Sequence, residues 1–203
     1  MHKDALARDL GELQAPEWMR SLRYLFVYPA HDARRMVAEE RYTAQMRALG
    51  YDMRCFGIPC PGGWWDFPKL DQAWQSRSPE LMPHYETFAE LLSETDVMIS
   101  AGGSMIHPGF LEQFDAYSLF ICGDDPESSD RLSRPIAPHF DHCFPVNVAC
   151  VDDYVSWGAR RVDWIFHALR PGYVDPEMTR EKILGLDRTI DVTMFCERIH
   201  GLS

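Results

Sequence analysis

The sequence predicts an α/β protein, a Rossmann-like parallel sheet flanked by helices. Three observations predict it. Strand, helix and strand follow one another directly between Arg23 and Ile58, and such a crossover makes its two strands parallel and its connection right-handed. Short apolar runs then alternate with helical periodicity along the rest of the chain, the pattern of helices laid on a sheet. Glycine, aspartate and proline recur where the apolar runs stop, as turns at strand ends require.

The elements follow in order. Residues 1–20 carry a short helical pattern, with Ala5, Leu6, Leu10 and Leu13 apolar, ending at Ala15 and Pro16. Residues 23–29 read as a buried strand that begins the sheet. From Asp32 to Leu49 the apolar positions Met36, Val37, Tyr42, Met46 and Leu49 mark a helix that stops at Gly50, a C-cap glycine. A second strand covers 51–58. The stretch 59–68 holds prolines, Gly62, Gly63 and the aromatics Trp64, Trp65 and Phe67, and reads as a long surface loop at the sheet's rim.

A helix over 79–93 carries Leu81, Tyr85, Phe88, Leu91 and Leu92 at helical spacing. The strand over 96–100 ends at Gly102 and Gly103, and that over 117–122 is closed by Gly123, Asp124, Asp125 and Pro126. A short strand over 141–145, a helix over 148–157 stopped by Gly158, a strand over 161–166, a helix over 177–184 and a strand over 191–195 complete the series. The expected organisation is a helical extension over 1–21, one Rossmann-like domain over 22–190, and the opening of a further unit over 191–203.

Composition narrows the function. The chain has 203 residues, 46% hydrophobic and 25% charged, ordinary for a globular protein and contrary to disorder. Its 31 acidic and 20 basic residues leave a formal charge of −11, a field that repels nucleic-acid phosphates. No apolar run reaches the roughly 20 residues of a membrane helix, and the charged start does not resemble a signal peptide, so a cytoplasmic protein without a membrane span is expected. The six cysteines, Cys55, Cys60, Cys122, Cys143, Cys150 and Cys196, form no CxxC pair, as expected of buried thiols in a reducing compartment.

Ligands of open parallel sheets bind outside the carboxyl ends of the strands. Those loops here are 29–35, 59–68, 101–109, 123–129 and 145–148. The first carries His31, Arg34 and Arg35 but no GxGxxG, so a dinucleotide cofactor is not expected; Arg34 and Arg35 could hold a phosphate or make surface salt bridges. In the third, Gly102, Gly103 and Ser104 allow close backbone approach, and His107 is either a general base or the cap of the next helix. In the fourth, Asp124, Asp125 and Glu127 suit sugar hydroxyls, the orientation of a base, or Mg²⁺. Asp124 is expected to point inward, and Asp125 or Ser128 to cap a following helix with Glu127 in its first turn. His139 and His142 are ligand-type residues, yet alternation along a strand separates such neighbours, so no metal is expected. Trp64, Trp65 and Phe67 either form an aromatic wall or fold back onto the core.

The stretches 96–108, 120–129 and 148–159, with their Gly-Gly, Asp-Asp-Pro-Glu-Ser-Ser and Gly-Ala signatures, resemble the CgeB-like (spore maturation protein) glycosyltransferases over roughly residues 22–195. The resemblance implies a GT-B architecture, two facing Rossmann-like domains, of which this chain is the amino-terminal, acceptor-side half. It implies a nucleotide-sugar donor, a hydroxyl acceptor, no cofactor or metal, and a donor half supplied by a missing carboxyl-terminal domain or a partner chain. His107 or Asp124 would take the acceptor proton. Two rivals stand beside it: a non-catalytic, flavodoxin-like ligand- or partner-binding domain, and a metal-dependent hydrolase built on Asp124, Asp125 and His107.

Overall fold

The crossover predicted between Arg23 and Ile58 sets the pattern of the whole sheet. The computed structural model describes residues 16–30, 33–59, 66–102 and 105–165, with the backbone alone described at 33–39 and 41. All of these belong to the first of two compact units, Met1–His167; the second, Ala168–Ser203, lies outside the described residues, as do the expected helix 177–184 and strand 191–195. The helical pattern of residues 1–15, the loop residues 60–65, His31, Gly103 and Ser104 lie outside them too.

A short helix α1 (Glu17–Arg20) leads into β1 (Arg23–Ala30), α2 (Ala33–Ala48) and β2 (Asp52–Pro59). Gly50 closes α2 with φ +90°, a left-handed conformation that costs glycine little. Then come α3 (Phe67–Gln75), α4 (Met82–Ser93), β3 (Val97–Ala101), α5 (Pro108–Leu111) and β4 (Tyr117–Cys122). A π-helical turn (Ser129–Ser133), α6 (Arg134–Ile136) and a 3-10 turn (Ala137–His139) connect to β5 (His142–Pro145). A second 3-10 turn (Val148–Cys150) opens α7 (Val151–Ser156).

The five strands run parallel in the order β2-β1-β3-β4-β5. The Rossmann-like α/β arrangement is therefore realised, and every strand's carboxyl end lies at one edge. β1, buried at each residue from Tyr24 to Pro29, is the two-face-buried centre that parallel sheets require. One face holds the larger core, where Leu25, Val27, Ile58, Met98 and Phe120 meet residues of α3, α4, α5 and α7. The other, with Tyr24, Phe26, Tyr28 and Met53, is joined by Met46 of α2.

Two expected boundaries move. The loop expected over 59–68 gives way at its end to α3, because Asp66 caps the helix by accepting from the Lys69 N–H and Pro68 fits its first turn; these start signals resemble loop signals. The strand expected over 161–166 is recorded as a single bridge, Cys143 with Val162. Its backbone nevertheless continues the ladder, Cys143 N–H to Arg161 O, Asp163 N–H to Cys143 O and Ile165 N–H to Pro145 O.

Asp96 ties the first strand to the third. Its Oδ2 accepts from the Arg23 backbone N–H at 2.8 Å and from Nε at 3.0 Å, and Oδ1 accepts from Nη2 at 2.8 Å, a forked, charge-assisted grip. The Arg23 side-chain bonds and backbone N–H hold the Asp96 carboxyl at about 2, below its ordinary 3.8. Stability from this carboxylate is thus complete above its ordinary value and is lost as the pH falls from there through about 2. In acid unfolding followed by circular dichroism, Asp96→Asn is expected to flatten that limb and to leave the neutral-pH dependence unaltered.

Candidate functional site

In the order β2-β1-β3-β4-β5, successive connections leave β1 and β3 in opposite directions, so the crevice between their carboxyl ends is the topological switch point where open α/β sheets take ligands. Ala30 and Gly102 stand at the two ends. Gly102 has φ +89° and donates its N–H to Ile121 O at 2.8 Å, a conformation costly for any residue with a Cβ. The residues singled out from the sequence at this edge, His31, Gly103 and Ser104, are outside the described residues. So are Trp64 and Trp65, and of Arg34 only the backbone, in α2, is described.

His107 is buried and spoken for at both ring nitrogens. Nδ1 accepts from the Gly109 N–H at 3.0 Å, capping α5. Nε2 therefore carries the proton in the neutral ring, and it donates to Asp71 Oδ1 at 3.1 Å. The ring stacks nearly parallel on Trp74, with centroids 4.9 Å apart, and on Phe67 at 5.9 Å. Of the two readings of His107, the geometry realises the cap: no lone pair of the neutral ring is left for a substrate proton. Phe67, one of the three loop aromatics, folds back onto this cluster.

Tyr85 supports the same segment from below. Its hydroxyl donates to Met105 O and accepts from the His107 N–H, each at 2.8 Å, and burial pushes its ionisation far above the ordinary range. Tyr85→Phe leaves a buried carbonyl and a buried N–H without partners. A loss of about 1–3 kcal/mol is expected in urea denaturation, with the same fold by circular dichroism.

The acidic loop after β4 corrects an expectation. Asp124 is exposed and it is Asp125, buried, that points inward. Asp125 Oδ1 accepts from the hydroxyls of Ser128 at 2.9 Å, Ser129 at 3.2 Å and Ser133 at 2.9 Å, and Oδ2 accepts from Tyr154 OH at 2.5 Å. The expected capping role is also replaced: Asp125 binds side-chain hydroxyls, Ser128 makes no side-chain cap bond, and Glu127 is exposed. The reason is the phase of the chain leaving β4, which turns the second carboxylate into the core where four hydroxyls satisfy its lone pairs. Beside it, burial first and the Asp125 charge second push the Cys122 thiol up to about 11; burial likewise raises Tyr154. Neither is an accessible nucleophile.

Asp124, Asp125 and His107 are thus not gathered into one metal site, and among the described residues no group of three or more His, Cys, Asp or Glu is placed to hold a metal ion. His139 and His142 separate: His139 Nδ1 meets Glu112 at 2.8 Å, and His142 Nε2 meets Asp163 at 2.8 Å. Cavities of about 400 and 280 Å³ lie at the opposite edge, near the starts of β3, β4 and β5, and share Phe114, Asp115 and Ala116. Sequence reasoning missed Asp71, Trp74, Tyr85 and Tyr154 as partners in these two clusters. Their only signal was apolar or helical spacing, which names a face and not a contact.

Fold and edge together define a Rossmann-like α/β protein with a hydroxyl-saturated buried aspartate beneath an acidic rim. No protein-family model matches the chain, and no curated protein matches it. Among the described residues no helix is long and apolar enough to cross a membrane.

Proposed function

We propose that this chain supplies the amino-terminal, acceptor-side half of a GT-B glycosyltransferase, which moves a sugar from a nucleotide-sugar donor to a hydroxyl-bearing acceptor. One observation carries the reading. Two of the segments on which the resemblance to CgeB-like enzymes rests, 120–129 and 148–159, meet through the Asp125–Tyr154 bond at the carboxyl edge of the sheet. A bond between residues 29 positions apart gives these two segments a physical purpose, the fixing of the acidic rim.

In this reading the acceptor hydroxyl lies beside Asp124, the rim carboxylate left free by the inward turn of Asp125. Asp124 accepts the hydroxyl proton as the acceptor oxygen bonds to the anomeric carbon and the bond from that carbon to the diphosphate breaks. His107 and Asp125 are positioning residues: one fixes the loop after β3, the other the loop after β4. Gly102 admits the ligand close to the backbone. The departing diphosphate is held by a donor half, as a second domain or a partner chain, which also closes the cleft to water.

Thermal-shift titration with UDP-, GDP- and TDP-sugars, of this chain alone and joined to a donor half, tests the reading. Stabilisation only in the joined form is expected; stabilisation of the chain alone overturns it. In the joined enzyme Asp124→Asn is expected to lower kcat by about 100-fold or more with the donor KM unchanged, whereas His84→Ala is neutral. A non-catalytic ligand- or partner-binding domain is the second reading. It is favoured by the strand order, shared with flavodoxin-like folds, and by the internal use of His107 and Asp125.

A further inference from the structure

The single turn α5 is held at each end through a histidine. At its amino end His107 Nδ1 accepts from the Gly109 N–H at 3.0 Å, while Nε2 donates to Asp71 Oδ1 of α3 at 3.1 Å. At its carboxyl end Glu112, the C-cap residue, meets His139 Nδ1 at 2.8 Å. A Cβ on residue 109 would stand 3.3 Å from His107 Nδ1, so glycine is what lets the ring close on this backbone. In the neutral ring Nδ1 is the nitrogen with the lone pair, and the Gly109 N–H occupies it. A second proton therefore enters at Nδ1, and it turns the acceptor of the cap into a donor facing a donor.

We propose that His107 is a proton-operated latch: the neutral ring joins α5 to α3, and the protonated ring releases the amino end of α5 while keeping Asp71 of α3. The surroundings accommodate the charge. From α3 come the Asp71 carboxylate and the rings of Trp74 and Phe67, stacked on the imidazole at 4.9 and 5.9 Å, so a positive ring meets an anion and aromatic faces. From α4 comes the Tyr85 hydroxyl, which burial keeps protonated and which bonds the His107 backbone, not its ring. The four residues of α5, Pro108–Leu111, carry no charge. Release stays local, because the Phe110 ring lies 4.3 Å from that of Tyr85 and 5.0 Å from that of Phe88, and Gly109 O accepts from Gln113 Nε2 at 2.7 Å. What opens is the junction between α5 and the loop that follows β3 at the switch point. The latch does not depend on a glycosyl-transfer reaction.

The test follows the full, nitrogen-15-labelled chain by NMR from about pH 8 to about pH 5, the range in which histidines change charge. At the upper end the His107 ring signals are expected to report a proton on Nε2 alone, with the Gly109 amide protected from exchange. Towards the lower end the ring is expected to become imidazolium and the protection factor of Gly109 to fall about fivefold or more, with the amides of Phe88 and Leu92 unchanged. A ring that stays neutral, a protonated ring with Gly109 still protected, or a loss of protection shared by Phe88 and Leu92 overturns the proposal. His107→Asn supplies an acceptor that does not titrate. In that variant the Gly109 protection factor is expected to stay constant over the range, and a fall equal to that of the native chain overturns the latch.

Discussion

Asp125→Ala is expected to cost about 3 kcal/mol or more and to lower the midpoint of thermal unfolding by roughly 10 °C. The carboxylate is the common acceptor of Ser128, Ser129, Ser133 and Tyr154, and its removal leaves a polar hollow in which Ser128 and Ser133 keep only the weakly accepting Cys122 sulfur. Asp125→Asn keeps one carbonyl oxygen and turns an amide toward donors, so an intermediate loss is expected. The cycle of Asp125→Asn with Tyr154→Phe separates their bond from general packing: a coupling of about 1–2 kcal/mol in urea denaturation is expected. Additive losses would show that Tyr154 only packs there.

His107→Ala is expected to cost about 2–4 kcal/mol. The change deletes the α5 cap, the bond to Asp71 and the ring between Trp74, Phe67 and the chain. Two conservative variants divide the loss. His107→Asn keeps a side-chain acceptor for the Gly109 N–H and forfeits the stacking; His107→Phe keeps the ring and leaves that N–H unpaired. Each is expected to recover part of the loss in denaturation midpoints. If alanine matched the native chain, the cluster would contribute nothing to stability and His107 would be free for another role.

These two clusters show where sequence reading stops. The strands at 23–29, 51–58, 96–100, 117–122 and 141–145 were legible to within a residue or two, because apolar runs and terminal glycines report local backbone preferences. Asp124 and Asp125 were legible as an acidic loop, yet their order of facing was not, since a single step of backbone phase exchanges inside for outside. His107 was legible as either a base or a cap. The choice depended on Asp71 and Trp74, which lie on a helix hidden in a stretch with loop-like residues.

By itself, the sequence determined the α/β class, the parallel crossover and the set of loops at the carboxyl edge, since each follows from periodicity and turn chemistry within a few residues. Only the tertiary structure decided that Asp125 is held by Tyr154, 29 positions away, and that His107 Nε2 meets Asp71 across 36 positions. Those choices arise when the strands stack side by side and their rim loops compete for the same buried space. No local preference encodes which distant hydroxyl or carboxylate arrives there.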